Sequence, residues 1–254
     1  TSYALAAEKG SDKSLAKASQ NPIASLISVP IQYDVSFGQG PSNRTGHILQ
    51  FQPVYPFRLG KDWNLITRTI VPLVVRPDFP GETGHTFGLG DISTTLFFSP
   101  SKPTAGGVIW GVGPVFQFPT ATSRVLGTEH FAMGPSAVIV WTPGRWVVGA
   151  LVAQTWSVAG DKDRNDVSFM LIQPFVNYNL DKGWFLTTSP VITANWDAKS
   201  SNRWTVPIGG GVGRVFRFVK QPVSLFARAF YYPVAPSNGP EWSFQVQLKF
   251  LFPK

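Results

Sequence analysis

The eleven residues 242–252, WSFQVQLKFLF, carry an apolar side chain at every second position. The apolar positions are Trp242, Phe244, Val246, Leu248, Phe250 and Phe252. The positions between them are Ser243, Gln245, Gln247, Leu251 and Lys249, of which only Leu251 is apolar. Successive side chains of a β-strand point to opposite sides, so this pattern predicts a strand with one apolar, aromatic face.

Similar short segments recur from residue 29 to the end of the chain, separated by clusters of Gly, Pro, Asn, Asp and Ser. They predict twelve strands, at residues 29–38, 47–58, 63–76, 87–98, 107–118, 130–141, 146–157, 167–179, 184–196, 203–218, 223–233 and 241–252. The connections alternate between short turns and longer loops, as they do in outer-membrane barrels with short periplasmic turns and long external loops.

The composition favours contact with lipid. Charged residues make up 14% of the 254 residues, against about 25% in ordinary globular domains. The chain also carries 20 Phe, 9 Trp and 6 Tyr. Its unbroken apolar runs are far shorter than the roughly 20 residues of a membrane helix. A closed barrel is the other structure that satisfies its backbone within hydrocarbon.

We therefore predict an all-β fold, a transmembrane antiparallel up-and-down β-barrel of about twelve strands, occupying residues 29–254 in the bacterial outer membrane. An even strand number places both termini on the periplasmic side. Trp63, Trp146 and Trp184 each follow a short turn, where an interfacial aromatic girdle is expected. If the barrel were instead a soluble lipid-binding protein, its aromatic face would turn inward.

Residues 1–28 differ from the rest, because they are rich in Ala, Ser and Lys and poor in aromatic residues. We expect this N-terminal segment to stand outside the barrel wall, with a helical turn at residues 14–20 that ends at Asn21-Pro22. It lies either in the periplasm or inside the lumen as a partial plug. The first residue is Thr1, so we expect a mature chain whose signal peptide has been removed.

Seven prolines fall inside predicted strands: Pro53, Pro72, Pro114, Pro135, Pro174, Pro190 and Pro207. Proline has no N–H group to donate to a neighbouring strand. We expect bulges, kinks or gaps in the wall at these positions.

Several stretches, in their order along the chain, resemble a family of outer-membrane channels labelled as proteins of the meta-cleavage pathway of phenol degradation. They include residues 20–30 (QNPIASLISVP), 65–72 (LITRTIVP), 88–100 (GLGDISTTLFFSP), 110–122 (WGVGPVFQFPTAT), 134–137 (GPSA), 204–208 (WTVPI), 221–225 (QPVSL), 239–242 (GPEW) and 252–254 (FPK). The resemblance implies a monomeric channel for passive uptake of small hydrophobic or aromatic molecules, in contact with outer-membrane lipid and lipopolysaccharide.

The face opposite the aromatic stripe predicts the lumen lining. It carries Asp34, Gln50, Gln52, Arg58, Arg68, Asp91, Phe226, Arg228, Phe230 and Lys249. We expect Arg68 and Asp91 to be paired charges. The same face also carries apolar residues such as Ile66, Ile70 and Phe97, which either form an apolar passage or simply fill a small barrel.

Other functions have weaker support in the sequence. An outer-membrane hydrolase is the alternative, but His47, His85 and His130 lie in no recognisable triad, and Ser136 lacks the Gly-x-Ser-x-Gly pattern. Asp161, Asp163 and Asp166 alternate with cations, unlike a calcium loop. The net charge of +8 is scattered, which does not favour nucleic-acid binding. We expect no enzymatic activity, metal or cofactor.

Overall fold

The computed structural model describes residues 12–77 and 86–253. One helix, α1 (Asp12–Gln20), precedes the sheet. The strands are β1 (Ile27–Gln39), β2 (Arg44–Phe51), β3 (Val54–Leu59), β4 (Trp63–Arg76), β5 (Thr86–Leu89), β6 (Ile92–Pro100), β7 (Val108–Phe118), β8 (His130–Trp141), β9 (Trp146–Gly160), β10 (Ser168–Asn179), β11 (Trp184–Thr188), β12 (Ile192–Asn195), β13 (Trp204–Phe218), β14 (Gln221–Val234) and β15 (Trp242–Phe252).

These fifteen segments form a closed antiparallel barrel of twelve strands. Three wall strands are each divided in two, as β2 with β3, β5 with β6, and β11 with β12. Each wall strand pairs with the next along the chain, and β15 closes the barrel on β1 with Phe252 opposite Ile27. The predicted fold class and strand number are confirmed.

The backbone ladder is interrupted beside all seven in-strand prolines. Pro53 and Pro190 lie between the halves of divided strands, and Pro207 lies at a register shift of β13. The other four prolines lie at positions where pairing with one neighbouring strand is missing. On β4, Pro72 lies between the residues that pair with β6 and those that pair with β5, and on β10, Pro174 lies between the residues that pair with β12 and those that pair with β11. Pro114 of β7 has no partner on β6, and Pro135 of β8 has no partner on β9. A missing N–H donor explains each interruption, and the predicted gaps are confirmed.

The aromatic face points outward. At the short-turn end Trp63, Trp146 and Trp184 are each more than 40% exposed. At the long-loop end the outer ring consists of Phe87, Phe118, Trp156, Trp196 and Trp242. Two aromatic rings with an apolar band between them are the outer surface expected of a barrel in a bilayer. In the described strands the aromatic stripe lies on the outside of the barrel, opposite to the inward aromatic face of a soluble lipid-binding barrel.

The N-terminal segment packs on the inside of the wall at the short-turn end. The predicted helical turn is confirmed by α1, which ends at Gln20. Leu15 and Leu26 pack with inward-facing residues of the wall, among them Phe185 and Phe226. Ile23 joins a second buried cluster that includes Phe97. In the part of the chain that the structure describes, no helix is long and apolar enough to cross a membrane.

The loops at the opposite end are held by charged and polar contacts. Arg124 pairs with Glu129 at 3.0 Å and with Asp161 at 3.2 Å. Arg164 donates hydrogen bonds to the carbonyl oxygens of Gly127 and Arg124, at 2.8 and 3.1 Å. The segments 119–129 and 158–166 are therefore joined to each other.

Candidate functional site

An internal cavity of about 300 Å³ lies inside the barrel above the N-terminal segment. Ser19, Gln20 and Asn21 border it at the short-turn end, and side chains of the surrounding strands form its walls. This volume is at the lower end of the range of small-molecule sites, roughly 300 to 1,000 Å³. The cavity is the candidate functional site.

One wall of the cavity carries a network of amides on β1, β2 and β15 and at the residue that follows β2. Its glutamines are Gln32, Gln50, Gln52, Gln245 and Gln247. The Nε2 groups of Gln245 and Gln32 donate to the two carboxylate oxygens of Asp34, at 2.7 and 2.8 Å. Gln247 Nε2 donates to Gln32 Oε1 at 2.7 Å. Strand register explains the network, because Gln245 lies opposite Asp34 and Gln247 lies opposite Gln32.

Arg228 is positioned by strands on both sides of its own. Its Nη1 donates to Gln245 Oε1 at 3.3 Å, and its Nη2 donates to Thr187 Oγ1 at 2.6 Å. Its guanidinium lies over the ring of Phe226, 3.9 Å from the centroid. An arginine over an aromatic face gains a cation–π attraction that is larger where water is excluded.

The contact between Arg228 and Thr187 depends on a glycine. Gly211 of β13 lies between them, since it pairs with Arg228 on one side and Thr187 on the other. A Cβ atom at Gly211 would stand 1.9 Å from the carbonyl oxygen of Ala227 and 2.7 Å from Cα of Arg228. A side chain there would therefore push the strands apart and occupy the space that the arginine crosses.

The wall on β9 and β10 has an apolar patch and two polar side chains. Leu151, Leu171 and Phe175 form the apolar patch, and Gln173 and Asn177 of β10 also border the cavity. Behind them lies the buried cluster that contains Ile66 and Phe97, both fully buried. The interior is thus amphipathic, with an amide and cationic wall on one side and the apolar patch of Leu151, Leu171 and Phe175 on the other.

The two remaining cations of the cavity have neutral partners. Arg68 Nη2 donates to Gln52 Oε1 at 3.0 Å. Lys249 Nζ donates to the carbonyl oxygen of Ser19 at 2.7 Å, at the C-terminal end of α1. A cation is favourable there, because helix C-termini carry partial negative charge.

The predicted lumen residues fall into two groups. Gln50, Gln52, Arg68, Phe226, Arg228 and Lys249 border the cavity. Asp34 is joined to that lining by Gln32 and Gln245. Phe230 is buried two positions along β14 from Arg228, outside the cavity lining.

Arg58 and Asp91 differ from the sequence-based prediction. Arg58 is exposed at the short-turn end, two residues before the turn at Gly60, and does not border the cavity. Asp91 accepts hydrogen bonds from the main-chain N–H groups of Thr128 and Ala121, at 2.7 and 3.3 Å. Asp91 lies between β5 and β6, next to the loop 119–129. Because main-chain N–H groups of this loop have no strand partner, the Asp91 carboxylate accepts their hydrogen bonds and holds the loop in place.

The predicted pairing of Arg68 with Asp91 is wrong. Among residues 12–77 and 86–253, Arg68 bonds to a glutamine, whereas Asp91 also accepts from the Thr128 hydroxyl at 2.8 Å and from Gln117 at 3.2 Å. The alternation of the strand placed both groups on the inner face, but it did not fix their heights along the barrel.

The histidines do not form a hydrolytic site with a serine in the described structure. His47 Nδ1 bonds to the Tyr33 hydroxyl, 2.8 Å away. His130 Nδ1 contacts the Thr128 carbonyl oxygen at 2.8 Å, and the Ser136 hydroxyl donates to the Gly113 carbonyl at 2.8 Å. His85 lies outside the described residues.

The aspartates of the 158–166 loop are engaged in loop contacts. Asp161 pairs with Arg124, and Asp166 accepts a hydrogen bond from Ser157. Among the described residues, no group of three His, Cys, Asp or Glu side chains is arranged to hold a metal ion.

Sequence reasoning missed several parts of the site. Thr187 and the Ser19 carbonyl partner two of the cations, and Gln173 donates to Ser189 Oγ at 3.0 Å on the β10 side. Gly211 was the sequence signal for the contact between Arg228 and Thr187, since a glycine within a strand marks a place where two parts of the chain approach closely. The Ser19 carbonyl partner could not be identified from the sequence, because every residue has a main-chain carbonyl group.

Comparison with solved structures identifies relatives of the fold. An outer membrane channel from Pseudomonas putida F1 superposes with a TM-score of 0.69 at 16% identity, covering 90% of this chain and 96% of that one. The NanC porin gives a TM-score of 0.53 at 12% identity, over 88% and 98% of the two chains. An active-site mutant of outer membrane phospholipase A from Escherichia coli gives 0.50 at 13% identity, over 95% and 98%. No family model matches the sequence, and a comparison with curated proteins finds no match.

Proposed function

We propose that this chain is a bacterial outer-membrane channel that lets small, mostly apolar or aromatic molecules diffuse passively across the membrane. The observation that carries the proposal is the internal cavity, which has an apolar patch on β9 and β10 and lies inside a closed barrel with an apolar outer face. A water-filled porin would have a polar lining all round. In this proposal both termini lie in the periplasm and the barrel works as a monomer surrounded by lipid and lipopolysaccharide.

Of the three structures with a similar fold, one is an outer membrane channel, one is a porin and the third is a phospholipase. The hydrolase alternative would need a histidine within hydrogen-bond reach of a serine. The contacts of His47 and His130 instead go to a tyrosine hydroxyl and a main-chain carbonyl, which favours the channel.

Vesicle permeation tests the proposal. Purified protein is inserted into liposomes, and the uptake of benzyl alcohol, phenol and glucose is compared with uptake by empty liposomes. Because small aromatic molecules also cross lipid alone, the uptake is measured in stopped flow at several protein-to-lipid ratios. We expect uptake of the aromatic solutes to rise with protein content and glucose uptake to rise little. Uptake of every solute at the empty-liposome rate would contradict a channel.

A further inference from the structure

Three cations border the cavity, and they outnumber the acids around them. Arg68, Arg228 and Lys249 are part of the lining, whereas among the described residues no Asp or Glu is. Asp34, behind the glutamines, is the acid whose charge acts on Arg228. Arg68 and Arg228 are both close enough to Lys249 for their charges to act on it. The cavity and its described surroundings therefore carry three basic side chains against one acidic side chain.

These cations are held by neutral groups. Their acceptors are glutamine oxygens, the Thr187 hydroxyl and the Ser19 carbonyl. Among the described residues, Nε of Arg228 has no hydrogen-bond acceptor although it is buried. Buried charges are ordinarily paired with opposite charges, because a desolvated ion without a counter-ion is costly. With Asp34 as the one acid beside them in the described structure, the three basic groups have fewer counter-ions than such groups ordinarily have.

The apolar patch of Leu151, Leu171 and Phe175 limits which anion fits best, because it borders the same cavity as the three basic side chains. An inorganic anion would bind the basic groups and leave this patch in contact with water. A neutral aromatic molecule would cover the patch and leave the basic groups without a counter-ion.

We propose that the cavity binds a small carboxylate with a single aromatic ring or a short aliphatic chain. The carboxylate accepts hydrogen bonds from Arg228 and Lys249, with Arg68 adding charge, and the apolar body lies against β9 and β10. Guanidinium groups suit carboxylates because their N–H donors match the two oxygens. This inference rests on the proposed channel, for which it names the class of solute.

Calorimetric titration of the folded protein in an uncharged detergent tests the site directly. The probes are benzoate, benzyl alcohol as its neutral analogue, and chloride as an inorganic anion. We expect saturable binding of benzoate, at least about tenfold tighter than binding of either comparison probe, because a charge-assisted hydrogen bond contributes roughly 1.5 to 3 kcal/mol. Equal binding of benzoate and benzyl alcohol, equal binding of benzoate and chloride, or no benzoate binding would each overturn the proposal.

Variants connect the binding to the named cations. Arg228→Gln and Arg68→Gln should each weaken benzoate binding, with a loss of about tenfold for Arg228→Gln. The matched control is Arg214→Gln, which removes an exposed arginine that lies over the Trp184 ring on the outer surface. Resistance of the barrel to unfolding in cold dodecyl sulfate shows which variants are folded. If both folded lumen variants bind benzoate as the control does, the site is wrong.

The binding test and the channel test can each reject one proposal while leaving the other in place. Benzoate binding without any solute uptake by liposomes would keep the site and reject the channel. Uptake of phenol without benzoate binding would keep the channel and reject the carboxylate site.

Discussion

The ammonium group of Lys249, on the last strand of the barrel, donates a hydrogen bond to the main-chain carbonyl of Ser19, 2.7 Å away at the end of α1. This bond joins the floor of the cavity to its cationic wall. The floor has two further polar anchors. The side-chain amides of Gln20 and Asn179 bond to each other at 2.9 and 3.1 Å, and Lys17 reaches the Thr142 carbonyl at 3.4 Å.

Loss of the lysine should loosen the helix. Lys249→Gln shortens the side chain and removes its charge, so the Ser19 carbonyl loses a charge-assisted bond. The chain has no cysteine, so a Leu15→Cys substitution gives a single reporter in α1. We expect a water-soluble maleimide to label this reporter several-fold faster in the Lys249→Gln background. The control is Lys220→Gln, an exposed lysine in a short turn; a rate equal to the control would exclude the contact as an anchor.

Asp91 should control the order of the long loop 119–129. Asp91→Ala removes hydrogen bonds to the main chain of Thr128 and Ala121 and leaves partly buried donors unpaired, at about 1 kcal/mol for each. We expect trypsin to cut faster after Arg124, which lies in this loop. Asp62→Ala, in an exposed short turn, should leave the cleavage rate unchanged. Unchanged cleavage in Asp91→Ala would contradict the role of the carboxylate.

Gly211 should tolerate no side chain. Gly211→Ala places a methyl group against the Ala227 carbonyl and should lower the free energy of unfolding by about 1 to 3 kcal/mol, the usual cost of overpacking. Urea unfolding in lipid vesicles measures the change. Gly106→Ala is the matched control, because its nearest neighbour atom would be 4.0 Å from the added Cβ. If the two variants were equally stable, the strands at Gly211 would be less closely packed than described.

A charged side chain on the outer face should lower the free energy of unfolding by an amount that depends on its depth in the membrane. Val246 lies near the middle of β15 on the outer face, and Phe252 lies at its end. We expect Val246→Arg to cost about 2 to 4 kcal/mol and Phe252→Arg about 0 to 1 kcal/mol of unfolding free energy, since a charge is costliest at the bilayer midplane. Equal costs at the two positions would contradict the placement of the outer face in lipid.

Much of the fold could be predicted because one physical constraint sets it. Side chains alternate across a strand, so the pattern of β15 fixes which face is lipid-exposed, and turn residues fix the strand ends. Two strands, Trp63–Arg76 and His130–Trp141, have the predicted bounds. The interruptions at the in-strand prolines were also predictable, because each proline lacks the N–H group that would donate to a neighbouring strand.

The site was less predictable because it depends on heights and distances across the barrel. Alternation places Arg68 and Asp91 on the inner face, but the partner of Arg68 is set by the register of β3 against β4 and the partners of Asp91 by a loop. The pairing of Arg228 with Thr187 crosses a strand at a glycine. The position of α1 depends on packing between segments more than 150 residues apart, such as Leu15 and Phe226, and no local pattern specifies it.

We propose that the barrel holds a passage that the N-terminal segment narrows. Single-channel recording of the full chain and of a chain lacking residues 1–20, in planar bilayers under the same salt, measures this narrowing. We predict discrete conductance steps in both, several-fold larger in the shortened chain. Equal steps would contradict narrowing by the segment, and bilayers that stay silent with both folded proteins would contradict the channel itself.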